Sequence, residues 1–200
     1  MVAVTSIEQL SGGRRRVHLD NGEVWVLYVG ELRTNRLSEG ASIPEDQYDR
    51  IRREVLGKRA KLRAMHLLER MDRTEQQLRS KLIAAEYPPD LIDEAIDYVR
   101  SYHYLDDARY ADCYVRVHGT TKSQGMLRME LQRKGVASDT IDRTLAAQED
   151  ERDESAMIRE LMQKRHFDPQ NADAAERRRM YAYLQRRGFR GSDICREMQL

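Results

Sequence analysis

Only two cysteines, Cys113 and Cys195, occur in 200 residues, so no disulfide framework is expected to hold this chain together. A long apolar run is also missing: the longest, Val24 to Val29, is far too short to cross a bilayer. The N-terminus, Met1-Val2-Ala3-Val4-Thr5-Ser6, lacks the basic start and apolar stretch of a secretory signal, and the expected compartment is the cytoplasm. Nor does one charge dominate, since 35 Lys and Arg against 34 Asp and Glu leave a net charge of +1. Such a balance exerts no strong bulk pull on nucleic acid. Phosphate-loop and nucleophile-elbow patterns (Gly-x-x-x-x-Gly-Lys, Gly-x-Ser-x-Gly) are absent, so no ATPase or hydrolase motif is encoded. The five histidines are dispersed, and Cys113 with His118 falls two ligands short of a metal centre. No catalytic residue, cofactor or metal site is expected, which leaves partner binding as the function class.

What is present is charge and helical periodicity. Charged residues make up 34% of the chain and hydrophobic ones 40%, a composition that suits well-hydrated helices over limited cores, with i,i+4 ion pairs on their faces. The length allows one large domain or two modest ones.

The first fifty or so residues read as β. Arg14 to Leu19 and Glu23 to Val29 flank Asn21-Gly22, the dipeptide suited to a type I′ turn. Counted outward from such a turn, Leu19 faces Val24 and Val17 faces Val26 on an apolar side, while His18 opposes Trp25 and Arg16 opposes Leu27 on the other. Val2 to Ile7 offers a third strand. A lone hairpin is marginally stable, so a small sheet or support from the next helix is required. That helix is expected to begin near Ser42, where Ser42-Ile43-Pro44-Glu45 fits a capping box, with Gly57 as a break before the next unit.

From there the pattern repeats. With Leu82, Leu131 and Leu184 as anchors, Leu78, Leu127 and Met180 stand four residues earlier, and Tyr87, Val136 and Phe189 five later. Ile92, Ile141 and Ile194 follow ten later, then Ile96, Leu145 and Met198 fourteen later. A period of roughly fifty residues marks a repeat architecture. Gly135 and Gly188, each after paired basic residues, are the expected left-handed residues that end a helix; Glu86 replaces glycine in the first copy, which implies a different cap there. Each copy parses as three helices: Arg59 to Met71, Glu75 to Ala85 and Asp90 to Ser101; Asp107 to Val117, Gln124 to Lys134 and Asp139 to Gln148; Asp153 to Lys164, Ala174 to Arg187 and Ser192 to Gln199. Thr74 with Gln77, Ser138, and Asp173 with Glu176 are the expected caps. The fold class is therefore mainly α: an elongated array of three three-helix repeats behind a small N-terminal β-hairpin or sheet. The divisions fall at 1–41 (β unit), 42–56 (lead-in helix), 57–104, 105–149 and 150–200 (repeats one to three). Bundles this small bury too little surface to be comfortable alone, and stacking on neighbours is the usual remedy.

Tyr104-Leu105-Asp106-Asp107-Ala108-Arg109-Tyr110-Ala111, followed by Gly125-Met126-Leu127-Arg128-Met129-Glu130-Leu131-Gln132-Arg133-Lys134-Gly135-Val136, resembles the central signature of the RecX regulatory proteins. Arg73-Thr74-Glu75-Gln76-Gln77-Leu78-Arg79-Ser80-Lys81-Leu82 is similar to that family's first-repeat pattern, with Thr74 where serine is usual, Gln77 where glutamate often stands, and Glu86 later in place of glycine. The N-terminal hairpin resembles an extension found in a subset of the family, so the resemblance spans essentially the whole chain. It implies a non-enzymatic cytoplasmic modulator of the RecA recombinase. Such a protein binds RecA or its filament on single-stranded DNA and dampens strand exchange, ATP hydrolysis and the coprotease activity linked to the SOS response in DNA repair. A monomer with weak direct nucleic-acid contact fits this picture. The rival reading is a helical DNA-binding regulator acting directly on DNA.

Candidate partner-binding residues are basic: Arg128, Arg133 and Lys134 in the second repeat, and Arg177, Arg178, Arg179, Arg186, Arg187 and Arg190 in the third. Helical spacing puts Arg179, Arg186 and Arg190 near one face, facing phosphate or an acidic partner, or else forming a solvated face balanced by Asp173, Glu176 and Asp193. Asp106 and Asp107 read as a helix cap rather than an acid/base pair. Tyr102, Tyr104, Tyr110 and Tyr114 have the residue type that stacks on bases, but Tyr110 and Tyr114 beside Val117 have the spacing of a packing stripe.

Overall fold

The computed structural model describes residues 1–148 and 153–200; the division expected at 149/150 lies outside them. The chain forms two compact units, Met1–Asp106 and Asp107–Leu200. It is mostly helical, with three three-helix bundles and a small antiparallel sheet at the N-terminus.

Strand β1 (Val2–Gln9) pairs with β2 (Arg14–Leu19) and with the short β4 (Ser42–Ile43), and β3 (Val24–Tyr28) pairs with β2, giving the order β3-β2-β1-β4. The hairpin register differs by one residue from the sequence expectation: Val17 pairs with Trp25, Arg16 with Val26 and His18 with Val24. The turn is a three-residue loop rather than a two-residue one. Leu19 N donates to Glu23 O at 2.9 Å, and Asn21 Oδ1 accepts from Glu23 N at 3.1 Å. Gly22 alone takes a positive φ, +85°, while Asn21 does not, so the type I′ geometry is replaced by a turn ending in a single left-handed glycine. A one-residue slip turns every side chain over. Val17, Leu19, Trp25 and Leu27 therefore share the buried side, and the buried indole N–H is satisfied by Glu23 Oε2 at 2.8 Å.

Two further expectations fail here for a shared reason. Residues 29–34 form helix α1 (Val29–Thr34) inside the region read as β, with Leu32 buried in the sheet core. Ser42 does not cap a helix; it pairs with Ala3 while Ile43, fully buried, pairs with Val2. Helix α2 (Glu45–Arg50) starts instead behind Pro44 with no side-chain cap. Burial against non-local partners outweighs the local signal in both places. Beyond α2 the helix continues through a π segment (Ile51–Gly57) into α3 (Lys58–Arg70), and Gly57 keeps right-handed helical angles. Gly57 is no break. The i→i+5 bonding carries Ile51 and Leu56, five apart, to one buried side.

Arginines fasten the sheet to these helices. Arg52 is paired with Glu23 and Asp90. Arg59 binds Glu31 at 2.8 Å and the Val26 carbonyl. Arg16 binds Glu86 through two parallel bonds of 2.6 and 2.7 Å, and also Glu8 at 2.9 Å. The bidentate fork holds the Glu86 carboxyl below its ordinary value.

The three bundles follow the repeat register closely. The first is α3, α4 (Glu75–Ile83) and α5 (Pro89–Ser101); the second α6 (Asp107–His118), α7 (Gln124–Arg133) and α8 (Ser138–Ala147); the third α9 (Glu154–Lys164), α10 (Ala174–Arg186) and α11 (Gly191–Met198). Leu82, Leu131 and Leu184 are each fully buried, at the centre of three separate cores. Burial of such a side chain contributes about 1.5–3 kcal/mol. Thr74 and Asp173 form the expected capping boxes with Gln77 and Glu176. Ser138 does not act as a cap, because Ala137 holds that position and its carbonyl opens the helix.

The second helix of every bundle ends alike. Tyr87 N donates to Leu82 O, Val136 N to Leu131 O and Phe189 N to Leu184 O, at 3.1–3.3 Å. The preceding residue is left-handed each time: Gly135 at φ +88°, Gly188 at +80°, and Glu86 at +61°. The first copy therefore uses the same cap as the others, contrary to expectation, at a backbone cost of about 1–2 kcal/mol for a non-glycine. The Arg16 fork holds the side chain of Glu86, the non-glycine among these three caps.

Within Asp107–Leu200, the second and third repeats meet at a glycine pair. A Cβ on Gly188 would lie 2.6 Å from Met126 N, and one on Gly125 would overlap Gly188 O. Ser123, which caps α7 by accepting from Met126 N at 3.1 Å, donates its hydroxyl to Arg187 O.

Two outcomes follow. Alanine for glycine in a helix ordinarily adds about 0.5–1 kcal/mol, but Gly125→Ala should lower stability by about 1–3 kcal/mol through overpacking, measured by urea unfolding. For Glu86, the folded carboxyl titrates below its ordinary value, so its stabilisation is complete above that value and is lost as pH falls through the depressed one. The stability difference between wild type and Glu86→Gln should therefore shrink across that acidic window; a difference that is flat or growing toward low pH would contradict the assignment.

Candidate functional site

No group of three or more His, Cys, Asp or Glu side chains among the described residues is placed to hold a metal ion. Cys113 and Cys195 are free thiols. No helix among them is long and apolar enough to cross a membrane. The chemistry on offer is that of charged and aromatic surfaces.

In the second repeat the basic candidates separate. Arg128 is ion-paired with Asp142 across the α7–α8 turn. The Lys134 ammonium lies 5.0 Å from the Tyr114 ring centre and 6.0 Å from that of Tyr110, a cation–π arrangement. Arg133 is exposed. Beneath them lies a network not apparent from the sequence. Tyr114 donates to Glu130 Oε2 at 2.6 Å, and Lys122 Nζ donates to both Glu130 oxygens at 2.9 and 2.6 Å. Burial pushes the Glu130 carboxyl up, but the bonds from Lys122 and Tyr114 prevail and hold it below its ordinary value. Burial and the Glu130 carboxylate raise the Tyr114 hydroxyl, and the same carboxylate raises Lys122. Tyr110 and Tyr114 stack at 6.2 Å and pack on the repeat core, whereas Val117 is 69% exposed, so the stripe turns toward the tyrosines and away from Val117. Lys122 precedes the Ser123 cap in a loop with no periodicity, and only the i,i+4 tyrosine pair hinted at the network. Asp106 immediately precedes the first residue of α6, where a cap stands. Tyr102 and Tyr104 stack at 6.0 Å and are about half exposed.

The third-repeat cluster is not one face. Arg177 donates to Pro169 O at 3.0 Å and Ala172 O at 3.1 Å, tying the α9–α10 loop to α10. Arg178 bonds back to Ala174 O at 3.3 Å. Arg179 is exposed and lines a cavity of about 350 Å³ with Arg165, His166 and Tyr183. The Tyr183 ring has Arg165 at 3.7 Å and Arg187 at 4.9 Å from its centre. Arg186 is exposed. Arg190 lies beyond the end of α10, at the cap of α11, and reaches the second repeat's Gln124 Oε1 at 2.6 Å. The expected grouping of Arg190 with Arg179 and Arg186 along one helix is thus broken by the turn at Gly188. Arg177→Ala should destabilise by about 1–3 kcal/mol, since it leaves charge-assisted bonds to loop carbonyls unmade. Arg186→Ala should stay within about 0.5 kcal/mol of wild type. Urea unfolding of the two variants checks the contrast.

The comparisons with known proteins agree with this architecture. Residues 60–98, 106–145 and 152–198 match the first, second and third three-helix domains of RecX. The regulatory protein RecX of Trichlorobacter lovleyi is 36% identical over 142 residues, covering 68% of this chain and 91% of that protein. The one from Clostridium botulinum strain Alaska E43 is 26% identical over 207 residues, covering 99% and 95%. A crystal structure of a regulatory protein RecX superposes with a TM-score of 0.66 at 24% identity, covering 100% of this chain and 99% of that one, a likeness of fold. Three helical domains in family order, with relatives matched over nearly their whole length, settle the matter: this chain belongs to the RecX family.

Proposed function

We propose that this protein is a non-enzymatic regulator that binds the RecA recombinase, or its filament on single-stranded DNA, and dampens strand exchange, ATP hydrolysis and coprotease activity. Family membership supports the regulatory role, since the relatives carry the name regulatory protein RecX. The recombinase as partner is what the sequence resemblance implies. One structural observation carries the mode of binding. Two residues after the anchor leucine, at the end of the second helix, repeats two and three present an exposed arginine in the same register: Arg133 and Arg186. Their neighbours Lys134 and Arg187 both lie over tyrosine rings, so Arg133 and Arg186 are the exposed pair in this register whose guanidinia make no such ring contact. A helical polymer offers the same acidic patch many times. Cations repeated on a folded array engage two such patches at once and gain avidity through effective concentration. The repeats at 57–104, 105–149 and 150–200 are in this view the binding modules. Preferential affinity for one filament state then shifts RecA away from its productive form.

The test follows RecA's single-strand-dependent ATP hydrolysis as the protein is added. Wild type should lower the rate, and the Arg133→Glu, Arg186→Glu pair should need at least about tenfold more protein for the same effect. Both residues are exposed, so the fold is retained. Unchanged hydrolysis with wild type, or equal inhibition by the double variant, counts against this reading.

A further inference from the structure

The compact unit Met1–Asp106 contains a groove that the helical repeat register does not account for. It lies between the N-terminal sheet and α3, with a volume of about 610 Å³. The start of β2 carrying Arg14, the end of β3 carrying Tyr28, the α3 face carrying Leu62 and Arg63, and the α4–α5 turn carrying Tyr87 all border it.

Its electrostatics are one-sided. The acidic side chains nearest the groove are already engaged: Glu86 is held by the Arg16 fork and Glu31 by Arg59. His66, farther along α3, sits 3.5 Å from Glu69. Arg14, which bonds the Ser11 carbonyl at 3.1 Å, and Arg63 remain as exposed guanidinia on opposite walls. The groove is also apolar where a water-filled cleft has no need to be. Tyr28 is 46% exposed and Leu62 65% exposed, while Tyr87 is half-buried behind them. Gly12 and Gly13, both left-handed, have no heavy atom within 4 Å of an added Cβ, so no side chain shields that rim.

The Tyr28 ring already carries the Arg59 guanidinium on one face, 5.3 Å from its centre; two further cations beside such a ring recognise a polyanion whose flat groups stack on the other face. An extended peptide fits less well. Strand addition needs free main-chain groups on the β3 edge, but Val26 O is taken by Arg59 and Tyr28 N by Glu31. A volume within the range of about 300–1,000 Å³ typical of small-ligand pockets takes a short length of extended strand and excludes a duplex. We propose that this groove binds single-stranded nucleic acid, with Arg14 and Arg63 on backbone phosphates and a base on the Tyr28 ring face that Arg59 does not cover. The site belongs to the N-terminal sheet and its junction with α3, and it is independent of any contact with a recombinase.

Fluorescence anisotropy of a labelled short oligothymidylate, titrated with the full chain and no other protein, tests it. Wild type should bind with an affinity that falls as salt rises. Arg14→Ala with Arg63→Ala should flatten the log K against log salt plot by about 1.4, or about 0.7 per phosphate contact on a single strand. Tyr28→Ala should weaken binding roughly tenfold, with Tyr28→Phe restoring it because the stacking face is kept. Arg53→Ala, a solvent-facing change outside the groove, should bind as wild type does. Absence of wild-type binding, an unchanged salt slope in the double variant, or equal competition by duplex or by polyglutamate would each overturn the proposal. Because the assay contains no RecA, its outcome stands apart from the reading of the filament contact.

Discussion

Everything in the helical part of this protein hangs on the carbonyl of one leucine per repeat. Leu82, Leu131 and Leu184 each bury a side chain completely while their main-chain oxygen accepts the amide five residues on. That bond is made only if the residue between is left-handed. It reverses the chain within a single turn and sets Tyr87, Val136 or Phe189 back against the core that the leucine occupies. A bundle of some forty-five residues has little core to spare, so a sharp, fully bonded helix end that returns an apolar side chain at once is what makes the unit viable. The same device closes α5 at His103 and α9 at His166, both left-handed, with Tyr104 N on Val99 O and Phe167 N on Met162 O.

One of the two glycines at these ends has a second duty, and the one glutamate does too. Gly188 ends α10 and simultaneously gives α7 of the preceding repeat room to approach, with Gly125 as its counterpart. Here backbone meets backbone, and no side chain larger than hydrogen fits either position. Glu86 accepts left-handed strain and carries the carboxylate that receives Arg16 from the sheet. The N-terminal extension is thus anchored to the first repeat at the place where the other repeats have only a glycine.

Charge is abundant in this chain, but its distribution matters more than its amount. Many arginines are structural: Arg16, Arg52 and Arg59 fasten the sheet, Arg177 pins a loop and Arg128 bridges a turn. Others, with Lys134, rest on tyrosine faces. The exposed remainder, Arg133 and Arg186 among them, is smaller and more ordered than the sequence suggests.

The amino-acid sequence by itself determined the helices of the three repeats, their order, the anchors and two of the capping boxes. These features are local: periodicity, cap residues and left-handed glycines act within a few residues along the chain, and every helix of the three repeats ends within two residues of where its spacing places it. The tertiary structure decided what depends on distant partners. The hairpin register turned on whether Asn21 or only Gly22 took a positive φ, and the choice that buried Trp25 prevailed. Ser42 became a strand rather than a cap because β1 stood ready to pair with it. Glu86 took the conformation of a glycine because the leucine–tyrosine bond across it and the arginine beside it outweigh a strain of about 1–2 kcal/mol. Which arginines face solvent was equally invisible, since a guanidinium's partner lies up to seventy residues away, and no pattern along the chain encodes a contact made only after folding.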